Sequence, residues 1–357
     1  MTSTTRPAFP LPRLAVPVLQ GPMAGADTPA LAAAVSGAGG LGMLGCGMRS
    51  PDAIAEAAAE VRRRTARPFG INLFVQDTPA PDAPDAAEVA GAMERLAPLC
   101  ARFGLAPAPP ARWCEDFAAQ FEALLAARPA VASFTFGILG AGAVDRLHAA
   151  GCCVVGTATT VAEARAWEAV GADAVCASGT EAGGHRGTFL ADFASSMVGT
   201  MALVPECVDA LRIPVIAAGG IMDGRGIAAA RALGAEAAQM GTAFLACTES
   251  GIGAAYRQAL RSATGTDTRV TRVFSGRPAR GIVNRMMEAL RDAEDLVPPY
   301  PVQNALTGAL RKAAAAAGDA GHLSLWAGQG VGRIRPMDAA ALVAVLRDEL
   351  DAAAARA

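Results

Sequence analysis

The 357-residue sequence has little lysine, tyrosine or histidine and no surplus of either charge. Lys312 is its only lysine, and 31 basic residues stand against 33 acidic ones, which gives a formal net charge of −2. A chain with so little net charge has no general field that would attract nucleic acid or an anionic membrane. We therefore expect small-molecule partners, and neither nucleic acid nor a membrane.

Long apolar runs and closely spaced cysteines are also missing. No apolar run reaches the roughly 20 residues that span a bilayer, and residues 1–12 lack the basic and then apolar order of a signal peptide. The eight cysteines form no C-x-x-C pair, and no histidine lies at zinc-ligand spacing. These absences predict a soluble, reduced, cytoplasmic protein without a metal site.

What the sequence does contain is a regular alternation of short β-rich runs and alanine-rich helical segments. Eight runs are strand candidates, at residues 14–19, 42–44, 69–74, 131–136, 152–156, 174–177, 214–217 and 237–240. This alternation predicts parallel strands, and eight such units within about 250 residues favour an α/β fold of the (β/α)8 TIM-barrel type. The alternative is a doubly wound sheet. A G-x-G-x-x-G pattern at Gly37, Gly39 and Gly42 does not support it, because these glycines lead from a helix into a strand, the reverse of the dinucleotide-binding order.

The fold is expected to have three parts. Residues 1–250 form the barrel, with an excursion at about 77–110 that is rich in proline and acid and partly helical. Residues 251–313 form a smaller, mostly helical lobe, inserted after the eighth strand, that caps the barrel mouth. Residues 314–357 pack back on the barrel.

Barrels place their active site at the carboxyl ends of the strands. One such end sets His185 among the glycines of residues 183–187, directly after the sixth strand. A histidine takes or gives a proton near neutral pH, and glycines let a flat ligand approach the backbone. His185 is therefore the candidate catalytic residue, whereas Glu181 is expected to make structural hydrogen bonds.

The ends of the seventh and eighth strands carry a second signal. Gly219-Gly220 follows one strand, and Gly241-Thr242 follows the other just before a helix begins. Barrels often bind phosphate there, with loop N–H groups and the positive end of a helix. A planar ligand with a phosphate tail fits both signals.

These motifs together resemble the nitronate monooxygenases of bacterial class I, formerly called 2-nitropropane dioxygenases. The matching segments are, in order, Gln20-Gly-Pro-Met, Ala38-Gly-Gly-Leu-Gly, Pro68-Phe-Gly-Ile-Asn-Leu-Phe, Ser133-Phe-Thr-Phe-Gly, Glu181-Ala-Gly-Gly-His-Arg-Gly, Ala217-Ala-Gly-Gly-Ile, Gln239-Met-Gly-Thr, Gly276-Arg-Pro-Ala-Arg-Gly and Trp326-Ala-Gly-Gln-Gly. They cover almost the whole chain. Each motif is weak alone, but their order and spacing are specific.

The resemblance implies a TIM barrel with a smaller lobe and a non-covalently bound FMN. Carried over by position, it implies that the flavin is contacted by Pro22, Met23, Ala24, Asn72, Ser178, Gly183, Gly219, Gly220, Gln239, Met240, Gly241 and Thr242. It places Ser133 and His185 beside the substrate. Ser178 is a departure, since members of the family often have glutamine there, and a serine side chain does not reach the flavin in the same way.

The implied reaction is the oxidation of a nitronate by O2 to a carbonyl compound and nitrite, with propionate 3-nitronate as a substrate. His185 binds the nitronate, as a hydrogen-bond donor or imidazolium, or takes the α-proton of a neutral nitroalkane. Arg277 and Arg280 lie either on a solvated face or between lobe and barrel, and arginines of the lobe are candidates for the carboxylate. Three alternatives remain: a flavin-dependent enoyl-acyl-carrier-protein reductase, an NADH:quinone reductase and a non-catalytic flavin carrier. Monomer and dimer are both left open.

Overall fold

The computed structural model describes residues 14–76 and 84–355. The predictions for residues 1–12, for the first part of the 77–110 excursion and for the last two residues therefore lie outside the described residues. The remainder of the excursion contains a helix over Ala86–Ala101, close to the predicted helical stretch.

The chain alternates strands and helices as far as its eighth parallel strand and is mainly helical afterwards. In chain order the elements are β1 (Val18–Gln20), α1 (Pro29–Gly37), β2 (Gly42–Gly45), α2 (Pro51–Arg64), β3 (Phe69–Phe74), α3 (Ala86–Ala101), α4 (Phe117–Ala127), β4 (Val131–Thr135), α5 (Ala141–Ala149), β5 (Cys153–Ala158), α6 (Val161–Ala169), β6 (Ala174–Ser178), β7 (Gly184–His185), α7 (Thr200–Ala210), β8 (Val215–Ala218), α8 (Gly224–Ala232), β9 (Ala237–Met240), α9 (Thr242–Leu245), α10 (Ala254–Ser262), β10 (Thr268–Thr271), β11 (Ala279–Ile282), α11 (Arg285–Ala289), α12 (Val302–Leu306), α13 (Gly308–Ala316) and α14 (Ala339–Ala354).

Eight of these strands form a nearly closed parallel barrel. They pair in the order β1-β9-β8-β6-β5-β4-β3-β2, and a parallel bridge between Leu19 and Leu41 joins the two ends. One apolar cluster, which includes Leu19 and Ile216, fills the inside of the barrel, and a larger one packs the strands against the surrounding helices. The predicted TIM barrel is confirmed, and the doubly wound sheet is not found.

Local sequence explains where several helices begin and end. The Thr28 hydroxyl accepts from the Leu31 N–H (3.0 Å) and precedes a proline, so α1 starts there. Ser50 does the same for α2. Gly151 and Gly234, with φ of +81° and +94°, follow α5 and α8, where a left-handed residue ends a helix without strain.

A second, three-stranded antiparallel sheet was not predicted. Strand β11 pairs with β10 on one side and with β7 on the other. The 251–313 segment therefore combines its helices with two strands, and His185 lies in a short strand rather than on a bare loop. The pairing of His185 with Ala279 joins residues nearly one hundred positions apart, so no local pattern signals it.

The closing helix α14 packs against α1 and α8 of the barrel. The division of the chain into a barrel, a lobe and a closing segment stays a prediction. Within residues 14–76 and 84–355, no helix is long and apolar enough to cross a membrane.

Candidate active site

The predicted site residues gather at the carboxyl ends of the barrel strands. Gly21 donates its N–H to the Met240 carbonyl (2.9 Å), which joins the ends of β1 and β9. The Met23 side chain reaches Gly241, whose Cβ position would lie 3.8 Å from the Met23 sulfur. The Met240 side chain instead lies in the core between strands and helices. The structure thus brings Met23 and Gly241 together at the barrel mouth and turns the Met240 side chain away from it.

Several backbone N–H groups at this end have no hydrogen-bond acceptor among the described residues. They include those of Gly220, Gly241 and Thr242, which follow β8 and β9. Thr242 is the first residue of α9, where helical N–H groups are free by geometry. Such groups favour an anion, so this observation fits the phosphate of a flavin nucleotide.

A row of polar side chains lies across the ends of β3, β4 and β5. The Asn72 amide donates to Ser133 Oγ (2.9 Å) and to Thr135 Oγ1 (3.3 Å). Thr135 in turn lies 3.2 Å from Thr157 Oγ1. The structure therefore joins the predicted cofactor residue Asn72 to the predicted substrate residue Ser133. Amide and hydroxyl groups at this place suit the heteroatoms of a planar polar ring.

His185 is half-buried and held by Ser275. The His185 Nε2 lies 2.8 Å from Ser275 Oγ, which is also 3.1 Å from the Arg277 carbonyl oxygen and 3.4 Å from the Arg277 nitrogen. A hydroxyl both donates and accepts, so Ser275 satisfies Nε2 in either neutral tautomer. Burial, with smaller contributions from the charges of Arg277 and Arg311, lowers the pKa of His185 to about 3. The imidazole is therefore neutral at physiological pH.

Aromatic rings surround His185, and sequence reasoning gave them no role. The ring centroids of Phe136 and Trp326 lie 5.2 Å and 5.4 Å from that of His185, with Phe74 and Tyr300 at 6.2 Å and 6.1 Å. Phe136 has a positive φ of 83°, which is strained for a residue with a side chain. Phe74, Phe136 and Trp326 stood within the motifs, but nothing in the sequence joined them to His185.

Two half-buried arginines, Arg277 and Arg311, flank this group of aromatic rings. The Arg277 guanidinium stacks on Phe136, 4.2 Å from the ring centroid, and donates to the carbonyls of Arg186 (3.1 Å) and Thr188. Arg311, on α13, donates to Thr307 Oγ1 (3.2 Å) and to the Asn304 carbonyl (2.8 Å) and side chain (2.9 Å). Burial lowers the pKa of both guanidinium groups to about 10.

Neither guanidinium has a carboxylate partner within the described part of the chain. No described aspartate or glutamate lies within 4 Å of Arg277 or Arg311. Charges withdrawn from water are normally paired, so two guanidiniums beside His185 without a carboxylate suit an anionic ligand. Arg280 also has no carboxylate within 4 Å among the described residues, and it donates to the Thr180 carbonyl (3.0 Å) and to Thr268 (3.2 Å). Of the two positions that the sequence left open for Arg280, the structure shows the contact between the 251–313 segment and the barrel loop rather than a solvated face.

The loop that carries His185 is held by two ionised side chains. Arg186 donates to the carbonyls of Ser178 (2.9 Å), Gly179 (2.7 Å) and Ser196 (2.7 Å). Glu181 accepts from the Thr200 N–H (3.0 Å) and hydroxyl (2.8 Å). The structural role predicted for Glu181 is confirmed, and Ser178 contributes its carbonyl to the Arg186 anchor.

The other two histidines lie outside this cluster, and their positions in the sequence predict no catalytic part for them. His148 Nε2 lies 2.9 Å from Asp173 on the barrel surface, and His322 Nδ1 lies 3.2 Å from Asp319. The eight cysteines are free thiols, most of them buried. In the described ranges no three histidine, cysteine or acidic side chains are grouped closely enough to hold a metal ion.

Enzymes with a parallel (β/α)8 barrel have their active sites at the carboxyl ends of the strands, where the predicted site residues of this chain lie. Comparison with known proteins gives its class. The family model described as nitronate monooxygenase matches residues 10–349. A nitronate monooxygenase from Paraburkholderia phytofirmans is 43% identical, over 98% of this chain and 97% of that protein. The chain therefore belongs to the nitronate monooxygenase family, a flavin-dependent family of oxidoreductases.

Solved structures agree with this assignment. The nitroalkane oxidase of Streptomyces ansochromogenes is 42% identical with a TM-score of 0.89, covering 96% of this chain and 98% of that one. FabK from Thermotoga maritima is 32% identical with a TM-score of 0.74, covering 96% and 94%. The FabK match is compatible with the enoyl-acyl-carrier-protein reductase alternative. The nitroalkane oxidase match has the higher identity and the higher TM-score.

Proposed function

We propose that the chain binds FMN at the carboxyl ends of its barrel strands and oxidises alkyl nitronates with O2 to a carbonyl compound and nitrite. The observation that carries this proposal is a neutral, half-buried His185 among aromatic rings and beside two guanidinium groups without carboxylate partners. A pocket of this kind attracts an organic anion. A cytoplasmic location stays a prediction from the sequence.

The cofactor part of the proposal rests on residues that fit a flavin nucleotide. The unpaired N–H groups of Gly220, Gly241 and Thr242 would hold the phosphate, and Asn72 would face the ring. When bound, the flavin supplies the redox chemistry by accepting an electron from the nitronate. The aromatic rings around His185 would exclude water, and the polar groups beside them would hold the substrate against the flavin.

The substrate part assigns a task to each polar group of the pocket. When the nitronate binds, the Ser275 hydroxyl proton turns from the Arg277 carbonyl to His185 Nε2, so that the Nδ1–H of His185 donates to a nitronate oxygen. Arg277 and Arg311 bind a second anionic group of the substrate. A nitronate that also carries a carboxylate, as propionate 3-nitronate does, uses both guanidiniums, and we propose it as the preferred substrate.

Anaerobic mixing tests the proposed reaction directly. We expect propionate 3-nitronate to bleach the absorbance of the bound flavin without O2, and we expect NADH not to do so. After O2 is admitted, nitrite should form and the oxidised spectrum should return. The measurement is stopped-flow absorbance of the purified holoenzyme, followed by a colorimetric nitrite assay.

Each alternative activity gives a different result in this experiment. Rapid bleaching by NADH and none by the nitronate would refute nitronate oxidation. An enoyl-thioester or quinone that then reoxidises the flavin would identify the corresponding reductase. Bleaching by neither reagent would leave a flavin carrier without this activity.

The low pKa of His185 predicts which form of the substrate reacts. Protonating an imidazole of pKa about 3 at pH 7 costs roughly 5 kcal/mol, so His185 is a poor base for the α-proton of a neutral nitroalkane. We expect turnover of pre-ionised nitronates at least about 100-fold faster than that of the matching nitroalkanes.

The pH profile gives a second readout of the same pKa. Because the folded-state pKa lies below the usual 6.5, His185 stays neutral throughout the range of pH 5 to 8. With flavin saturating, kcat/KM for a nitronate should show no ionisation near pH 6.5. An ionisation there that disappears in His185→Asn would contradict the neutral imidazole.

A further inference from the structure

The carboxylate of Asp27 joins the ends of the first two barrel strands. Asp27 lies in the loop between β1 and α1, and its side chain is fully buried. Its Oδ2 accepts from the N–H groups of Met23 and Gly45, at 2.7 Å each. Its Oδ1 accepts from the Arg49 guanidinium at 3.0 Å. One carboxylate therefore sets the distance between the loop after β1 and the end of β2.

The loop of residues 22–24, which Asp27 holds, packs closely against the end of β2. A Cβ at Gly45 would lie 2.7 Å from the Ala24 nitrogen and 2.8 Å from Asp27 Oδ2, so only glycine allows this approach. On its other side the loop carries Met23, whose side chain contacts Gly241. Asp27 thus fixes the loop of residues 22–24 relative to the unpaired N–H groups at the start of α9.

Asp27 is costly to keep in this position. Burial raises the pKa of its carboxyl to about 7, although Arg49 and both N–H donors lower it. The folded chain therefore holds this proton more tightly than the unfolded chain, whose carboxyl has the ordinary value of 3.8. Between these two pH values the carboxyl ionises in the unfolded chain but stays protonated in the folded chain, so the free energy of unfolding falls as the pH rises. Both carboxylate oxygens nevertheless accept only from N–H groups, which favour the ionised form.

The charged and titratable groups that face Asp27 are Arg49 and Cys46. Burial raises the pKa of the Cys46 thiol to about 12, so this group is neutral and Arg49 is the charge that acts on Asp27. Arg49 is itself held from outside, because the Gln120 amide donates to the Arg49 carbonyl at 2.7 Å. The ionisation of the Asp27 carboxyl therefore depends on Asp27 itself and on the charge of Arg49.

We propose that Asp27 is a positioning residue for the flavin, whose ionised carboxylate holds residues 22–24 in the arrangement that binds the cofactor. This inference rests on the proposed FMN site. Asp27 does not touch the flavin. It acts through the Met23 and Gly45 N–H groups, which it binds more strongly as an anion than as a neutral acid, so flavin affinity rises as Asp27 ionises.

Flavin titration of the apoprotein separates this role from a structural one. We expect Asp27→Asn to raise the FMN dissociation constant about tenfold at pH 8, measured by quenching of flavin fluorescence. The thermal midpoint of the apoprotein should fall, because Arg49 loses its carboxylate partner, so the titration is run well below the midpoints of both proteins. An unchanged dissociation constant would overturn the inference, and so would a loss of affinity that only follows a loss of apoprotein stability.

Asp173→Asn is the matched control. Asp173 also accepts from a backbone N–H, that of Val154 at 2.7 Å, and contacts a basic side chain, His148. It precedes β6, at the opposite end of the barrel. We expect this variant to lower the thermal midpoint and to leave FMN affinity unchanged. Equal loss of affinity in both variants would contradict a specific role for Asp27.

Arg49→Gln tests the same positioning role while the Asp27 carboxyl is kept. Removal of the guanidinium raises the pKa of Asp27 further, so the pH at which FMN affinity falls should move up by about one unit. The FMN phosphate titrates equally with both proteins and cancels in the comparison. An unchanged midpoint would refute the inference. If the native chain binds no flavin, the proposed function fails as well; if it binds flavin and the Asp27 and Arg49 variants match it, only the role of Asp27 fails.

Discussion

His185→Asn is expected to keep its flavin and to lose about 100-fold in kcat/KM for propionate 3-nitronate. The proposed flavin contacts come from the strand ends and not from the imidazole, so the cofactor content should not change. The loss reflects the hydrogen bond from Nδ1–H to the anionic substrate, since a bond to a charged group contributes about 1.5–3 kcal/mol. Asparagine is shorter than histidine and cannot span both Ser275 and the substrate.

Flavin content and steady-state kinetics of the same preparation check this expectation. His148→Asn is the matched control, because His148 also makes a side-chain hydrogen bond but lies on the barrel surface beside Asp173. It should turn over at the native rate. Native turnover in His185→Asn would remove the histidine from the mechanism. Loss of flavin together with activity would instead assign it to cofactor binding.

The barrel and the place of the site could be predicted because both follow from local patterns. Each of the eight barrel strands lies close to its predicted run, since alternating β and α units leave parallel pairing as the simple solution. Once the strands are known, their carboxyl ends meet at one face, which brings together Asn72, Ser133 and Gly241. The resemblance to the family then assigned roles to these residues.

The second sheet escaped prediction for a physical reason. Strand β7 has two residues, and β10 and β11 have four each, which is too short for a periodic signal. Their pairing is decided by long-range contacts, among them the hydrogen bond between His185 and Ser275. The glycines around His185 indicate a loop by themselves, and only the distant β11 turns part of that loop into a strand.

The aromatic residues around His185 could not be predicted as a group because they come from distant parts of the chain. Tyr300 stands in a proline-rich run and Trp326 near the end of the sequence, and neither position indicates a contact with His185. Asp27 follows a small-residue loop and has no motif of its own. What identifies each of these residues is the group that it contacts in the folded chain. A single sequence does not show such contacts.

The contacts of Arg311 also could not be predicted from the sequence. Its substitution has the second large expected effect. Next to Lys312 in an alanine-rich helix, Arg311 is typical of a solvated face, but the structure half-buries it, with its charge close enough to lower the pKa of His185. We expect Arg311→Met to raise KM for propionate 3-nitronate about 30-fold with little change in kcat. Methionine keeps the apolar stem and removes a charge-assisted bond to the substrate carboxylate, which contributes about 2 kcal/mol.

Ethyl nitronate, which has no carboxylate, makes this test specific. Its KM should be nearly the same in the native enzyme and in Arg311→Met, because Arg311 is proposed to contact the carboxylate alone. Arg269→Met provides a matched control, since Arg269 lies in the 251–313 segment and pairs with Glu288 at 3.1 Å, outside the pocket. It should leave both KM values unchanged. An equal rise of KM for the two substrates in Arg311→Met would show that Arg311 supports the α12 and α13 fold through Asn304 and Thr307 rather than binding a carboxylate.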